Sequence, residues 1–136
     1  MEQSSKTRGQ RNNNPLNIRR GCNWKGLNPY GKDKEFCVFV DVLFGIRAAL
    51  IIIRRYIIKY KVCTVSQIIS RWAPSKENNT DAYIQFVCKE MGVPSTYTII
   101  WENSTKVCQL VKAMAKMESN MSLDDDIIFF EYVNLR

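Results

Sequence analysis

Histidine is absent from this chain of 136 residues, so any proton transfer it performs must run through carboxylates, helped by Tyr, Lys or Asn. Without imidazole no Ser-His-Asp triad, Cys-His peptidase or His-ligated zinc hydrolase can be assembled. Glu118 is the carboxylate in the most unusual setting. Val107, Leu110, Val111 and Met114 lie eleven, eight, seven and four residues before it, the offsets that stack side chains on one face of a helix. A glutamate at the next place on that apolar stripe either escapes to water at the helix end or projects into a cleft where its ionisation is disfavoured. In a cleft, desolvation and the negative end of the helix macrodipole would both hold its proton towards neutral pH. That is the condition for a general acid, and glycoside cleavage is the large reaction class that runs on carboxylates alone.

The other candidate groups are less distinctive. A second catalytic carboxylate would come from Asp33, Glu35 or Asp41, whose plainer reading is solvent-facing turn and edge charge. Asp124-Asp125-Asp126 mimics a metal site but reads better as the acidic N-terminus of a helix following Ser122. The five cysteines are odd in number, widely spaced and without a CxxC pair. They read as reduced, buried small hydrophobes of a cytoplasm-made protein, not as a zinc site or disulfide framework. No metal or cofactor is expected. Trp24, Trp72 and Trp101 are the residues best suited to stacking on sugar rings. Trp24 lies in a turn-rich segment, Trp72 reads more as core, and Trp101 as a packing staple.

The elements that must position these groups are mostly helical. Residues 15–34 are rich in Gly, Pro and Asn. Alternation over Phe36–Asp41 predicts a short strand, with Trp24–Leu27 as its hairpin partner and the turn near Tyr30-Gly31-Lys32-Asp33. A helix from about Leu43 to Tyr60 is apolar nearly all round and is expected at the centre of the fold. Thr64 and Gln67 form a capping box that opens the next helix, which Pro74 closes. Asn79 or Thr80 caps a third helix ending at Gly92. Asn103 or Ser104 caps the helix that carries Glu118. Residues 122–136 fit either a short helix or a strand. The inventory is α+β, mainly helical, with a small hairpin and a buried central helix, which suits a lysozyme-like architecture and equally a plain helical bundle.

Charge divides the chain. Residues 1–34 hold eight of the basic residues against only Glu2 and Asp33, and the whole chain carries +7. Residues 1–14 read as a flexible basic arm ahead of a single domain over 15–136, suited to nucleic acid, anionic lipid or an acidic wall polymer. Met1–Asn14 contains no apolar core of a secretory leader. The apolar run Cys37–Ile58 is interrupted by Asp41, Arg47, Arg54 and Arg55 and does not read as an integral membrane segment.

Arg11-Asn12-Asn13-Asn14-Pro15-Leu16-Asn17-Ile18-Arg19, followed by Trp24-Lys25-Gly26, resembles a bacteriophage family that opens with Arg-Asn-Asn-Asn-Pro-Gly-Asn-Ile-Arg and a nearby Trp-x-Gly. The likeness continues through Phe36, Phe39, Gly45–Ala48, Ile68–Pro74 and Glu77–Ile84, and covers most of residues 11–93. Members of that family are described as virion structural proteins or peptidoglycan hydrolases, and their last helix ends in His-Glu-Asn-Gly. Here the matching stretch is Met117-Glu118-Ser119-Asn120, and Glu118-Ser119 also resembles the Glu-Ser element of lytic transglycosylases. Bacterial glucosaminidases carry similar parts with the glutamate helix first, so the resemblance implies a lysozyme-like fold in circularly permuted order. Leu16 in place of glycine and Met117 in place of histidine depart from the pattern, and the second would weaken activity.

The resemblance implies a muramidase or lytic transglycosylase with Glu118 as general acid and Asn14, Asn17, Trp24 and Tyr83 contacting peptidoglycan glycan strands. Such a protein would act on the cell wall from a virion or from the cytoplasm of an infected host. The alternative is a non-catalytic virion component of the same fold that binds DNA or capsid through its basic arm.

Overall fold

A computed structural model describes residues 5–76 and 78–135. Glu77 of the family-like stretch, the first four residues of the basic arm and Arg136 lie outside the described residues. The helices are α1 (Arg8–Arg11), α2 (Val42–Arg54), α3 (Val65–Trp72), α4 (Thr80–Met91), α5 (Ser104–Ser119) and α6 (Asp125–Val133), with α2 running on as a π-helix over Arg55–Lys59.

Helix boundaries follow local chemistry. The Thr64–Gln67 capping box is formed on both sides, and the Asn79 and Asn103 side chains accept the free N–H groups that open α4 and α5. Gly92 and Asn120 end those helices in the left-handed conformation, at φ 69° and 52°. The tail is a helix: Asp124 caps α6 through the backbone N–H of Asp126, and Lys112 pairs with Asp125 at 2.8 Å. The aspartate triplet is thus the acidic start of a helix.

The predicted hairpin is reduced to isolated bridges. Leu27 of the expected partner segment pairs with Phe39, and Asn28 N–H bonds Val38 O while Val40 N–H bonds Gly26 O. Its turn falls at Asn28–Gly31. A longer ladder does not form because residues 36–40 divide their bonds. Phe36 and Cys37 turn to residues 18–19, and Phe39 N–H bonds Asn12 O.

Helix α2 is buried as expected, but α5 shares the centre, packing against α1, α2, α4 and α6. The apolar stripe of α5, Val107, Leu110, Val111 and Met114, is fully enclosed, each such side chain contributing roughly 1.5–3 kcal/mol by leaving water. Helix α6 also packs on α2, and the 13–15 loop lies so close that at Gly45 there is no room for a Cβ beside Asn13 O and Pro15.

The largest departure is at the N-terminus. Residues 7–14, expected in a flexible arm, are folded against the domain. Thr7 and Gln10 form a capping box around α1, Gly9 is buried, and Asn12 and Asn14 are enclosed. Arg8 makes a forked ion pair with Asp33 (2.7 and 2.8 Å) and reaches Glu35 at 3.0 Å, so part of the basic charge is spent inside the fold. The cysteines also differ from expectation. All five are free thiols, but only Cys37 is buried, and Cys22 is exposed. No helix among the described residues is long and apolar enough to cross a membrane.

Candidate active site

Glu118 stands in the last turn of α5, where the helix has run out of partners for its final carbonyls. Helix α1 supplies them. Thr7 Oγ1 donates to Ser119 O at 2.7 Å, and Gln10 Nε2 donates to Ser119 O and Asn120 O at 3.1 Å each. Ser119 is fully enclosed, and its hydroxyl donates to Pro15 O at 2.8 Å. A Cβ on Gly9 would stand 1.8 Å from Ser119 Oγ, so α1 lies this close only because residue 9 is glycine. The end of the glutamate helix and the Asn14–Asn17 loop are thereby locked together.

That loop brings Asn17 to the carboxylate. Asn14, wholly buried, donates to Ile18 O and Cys37 O and accepts from Ile18 N–H, all at 2.9–3.0 Å. Leu16 is 0% exposed and fills the core. Asn17 then turns left-handed (φ 51°), which asparagine tolerates, and its amide donates to Glu118 O at 3.1 Å and to Oε1 at 3.3 Å. From α4, the Tyr83 hydroxyl donates to Oε2 at 2.9 Å. The carboxyl group is therefore gripped through both oxygens, and Trp72 at the end of α3 gives it a further hydrogen bond.

Burial raises the pKa of Glu118 above the ordinary carboxylate value, against the bonds from Tyr83, Asn17 and Trp72, which pull it down. Burial, with Glu118 alongside, keeps the Tyr83 phenol protonated far beyond its usual range. Tyr83 is thus a fixed donor.

Glu118 opens onto a groove of about 720 Å³, a volume usual for small-ligand sites. Trp24, Phe36, Tyr56 and Trp72 give it aromatic walls, with Tyr56 and Trp72 meeting edge to face at 6.2 Å. Gly26 of the Trp24-Lys25-Gly26 segment is seated directly on Phe44, at φ 85° and with no room for a Cβ. The buried Trp24 Nε1–H and Asn17 Oδ1 have no hydrogen-bond partner among the described residues. Among the described lining residues Glu118 is the sole carboxylate, and Arg19, Arg55 and Lys76 are the cations.

The sequence expectations divide here. Glu118, Asn17 and Trp24 come together on one groove. Asn14 does not face it: its polar atoms are consumed in fixing the loop, so it is a structural residue. Tyr83 is 4% exposed and sits behind the carboxylate, holding Glu118 instead of touching a ligand. None of Asp33, Glu35 and Asp41 lines the groove with Glu118. Asp33 is held by Arg8, Asn12 and two backbone N–H groups, with its pKa far below the carboxylate range, and Asp41 caps α2. Trp72, read as core, is a groove wall, while Trp101 packs on Tyr132 at 4.9 Å as a staple. Sequence reasoning missed Arg55 and Tyr56, which belong to the π-helix; nothing in the apolar pattern of α2 announces that widened turn.

The two departures from the phage pattern also find explanations. Leu16 is not in the left-handed region and needs no glycine. Met117 is 40% exposed and does not line the groove. Asn120, in place of the family's glycine, adopts the left-handed cap that either residue serves.

No protein-family model matches the chain. It is 39% identical over 116 residues to "Protein P5" of Pseudoalteromonas phage PM2, an alignment covering 82% of this chain and 71% of that protein. The chain belongs to the bacteriophage family represented by Protein P5 of phage PM2.

Proposed function

We propose that this phage protein degrades peptidoglycan, cleaving the β-1,4 bond between its two amino sugars with Glu118 as general acid. The observation that carries the reading is the carboxyl group itself. It is half-buried at the groove, held through both oxygens, and shifted by burial towards the protonated form. Sugar rings would stack on the groove's aromatic walls.

Chemistry would begin with transfer of the Glu118 proton to the bridging oxygen as its bond to C1 breaks. The glutamate, now anionic, takes the proton of the same sugar's 6-hydroxyl while that oxygen bonds to C1. The products are a strand with a free 4-hydroxyl and a strand with a 1,6-anhydro end, and no water is consumed. A route that activates water or forms a glycosyl-enzyme calls on a second carboxylate, and the groove's described lining holds none besides Glu118. The lytic transglycosylase route, which Glu118 alone can serve, is the one proposed.

A lysozyme-like fold in permuted order, with the glutamate helix after the Trp-x-Gly segment, is part of this reading. So is carriage in the virion, which the phage relationship supports. The rival is a non-catalytic virion component of the same fold that binds DNA or capsid through the basic arm. Docking of α1 and engagement of Arg8 by Asp33 count against it. Digestion of purified cell walls with mass analysis of the fragments tests the proposal. Anhydro ends, lighter by one water than reducing ends, are expected. Reducing ends would overturn the route, and intact walls the enzyme assignment.

A further inference from the structure

Glycan cleavage leaves most of the groove's charge without a role. A neutral polymer of amino sugars has no use for cations beside the acid, yet Arg19, Arg55 and Lys76 all line the groove and Glu118 is the sole carboxylate among its described residues. Arg19 is already engaged, its guanidinium 4.8 Å from the Phe36 ring centroid. Arg55 and Lys76 are different. Both are exposed, and neither makes a side-chain hydrogen bond, ion pair or ring contact with a described residue.

The backbone at Arg55 is also unusual. It opens the π-helix, and Tyr60 N–H bonds Arg55 O at 3.1 Å, five residues back instead of four. Such turns cluster at functional sites because they re-aim side chains that a regular helix would carry elsewhere. Here the turn accompanies two consecutive residues on the groove, Arg55 and Tyr56, next to Trp72. Guanidinium and ammonium groups free to meet a ligand select carboxylates, the first by a forked pair of bonds.

We propose that Arg55 and Lys76 bind the carboxylates of the peptidoglycan strand, those of its peptide stems. The enzyme would then select acid-bearing glycan over neutral polymers of the same linkage. This inference rests on the glycan-cleaving reading and deepens it.

The test compares soluble peptidoglycan fragments with the same fragments after amidation of their carboxylates. For the wild type, amidation is expected to lower kcat/KM about tenfold or more, the loss of at least one charge-assisted contact. In R55Q and the R55Q/K76Q double variant, that acid-over-amide ratio is expected to fall towards one. A structural role would lower both rates together and leave the ratio standing, and that result overturns the proposal. Calorimetric binding of the same two ligands to E118Q separates the two levels of the argument. Preference for the acidic fragments without any cleavage by the wild type keeps the anion site and sinks the enzyme reading. Equal binding of both fragments sinks the anion site even if the wild type lyses walls. Duplex DNA binding that falls steeply with salt and is lost in R55Q/K76Q would assign the cations to nucleic acid and overturn the proposal.

Discussion

Replacing Tyr83 by Phe removes one oxygen and leaves the ring in its buried site, so it tests how the protein sets the acidity of Glu118. The hydroxyl donates to Oε2 at 2.9 Å and stabilises the anion more than the neutral acid. A hydrogen bond to a charged group is worth about 1.5–3 kcal/mol. At about 1.4 kcal/mol per tenfold, its loss raises the pKa of Glu118 by roughly one to two pH units. Burial already raises that pKa, and Y83F raises it further. The acid must carry its proton to act, so the alkaline limb of the wall-clearing profile moves to higher pH by that amount. Stability follows the same sign. A carboxyl whose folded pKa lies above its unfolded value costs nothing at low pH, and its ionisation weakens the fold as pH rises through the folded value. In Y83F that weakening is deeper and ends at higher pH. The assays are the pH–rate profile, carbon NMR of the Glu118 carboxyl, and thermal unfolding across pH. An alkaline limb that stays in place, or moves to lower pH, refutes the reasoning.

Three further outcomes follow from the same contacts. The Asp33 pKa lies far below the ordinary aspartate value because Arg8 and three N–H donors hold the anion. Its stabilisation is therefore complete above that value and lost as pH falls below it; D33N should lower the Tm at neutral pH and flatten the decline of Tm in acid. Gly9→Ala drives a methyl into Ser119 and Asn14 O, costing about 1–3 kcal/mol by urea unfolding, and an added Ser119→Gly should recover part of it. At the two family departures the effects should be opposite in size. Leu16→Gly empties a fully buried site and costs about 3–5 kcal/mol, whereas Met117→His at an exposed site changes stability by no more than about 0.5 kcal/mol.

Features written in short-range chemistry were legible from the sequence. Thr64 with Gln67, Asn103, Gly92 and the aspartate triplet each mark a helix end by what one side chain can do for nearby backbone. The stripe ending at Glu118 was legible because helical period alone fixes which face it shares. Contacts between distant segments were not. Tyr83 is 35 residues from Glu118, and no local pattern announces that its hydroxyl meets that carboxyl. Asn14 looked like a ligand-binding polar residue because burial of a fully satisfied amide is set by backbone groups at residues 18 and 37. Residues 1–14 looked mobile for want of apolar side chains. Residues 7–14 are held instead by polar bonds to a helix end and by a glycine that permits close approach. The Thr7–Gln10 capping box was the one signal that could have been read there.

The central claim is that the Glu118 proton cleaves the glycan. Glu118→Gln retains size and the capacity to bond Tyr83 and Asn17 while removing the transferable proton. Purified wild-type and E118Q proteins of matched Tm, added to cell-wall suspensions, give the direct comparison. Clearing by the wild type and a loss of about a hundredfold or more in E118Q is the predicted result. Equal clearing by the two proteins contradicts it.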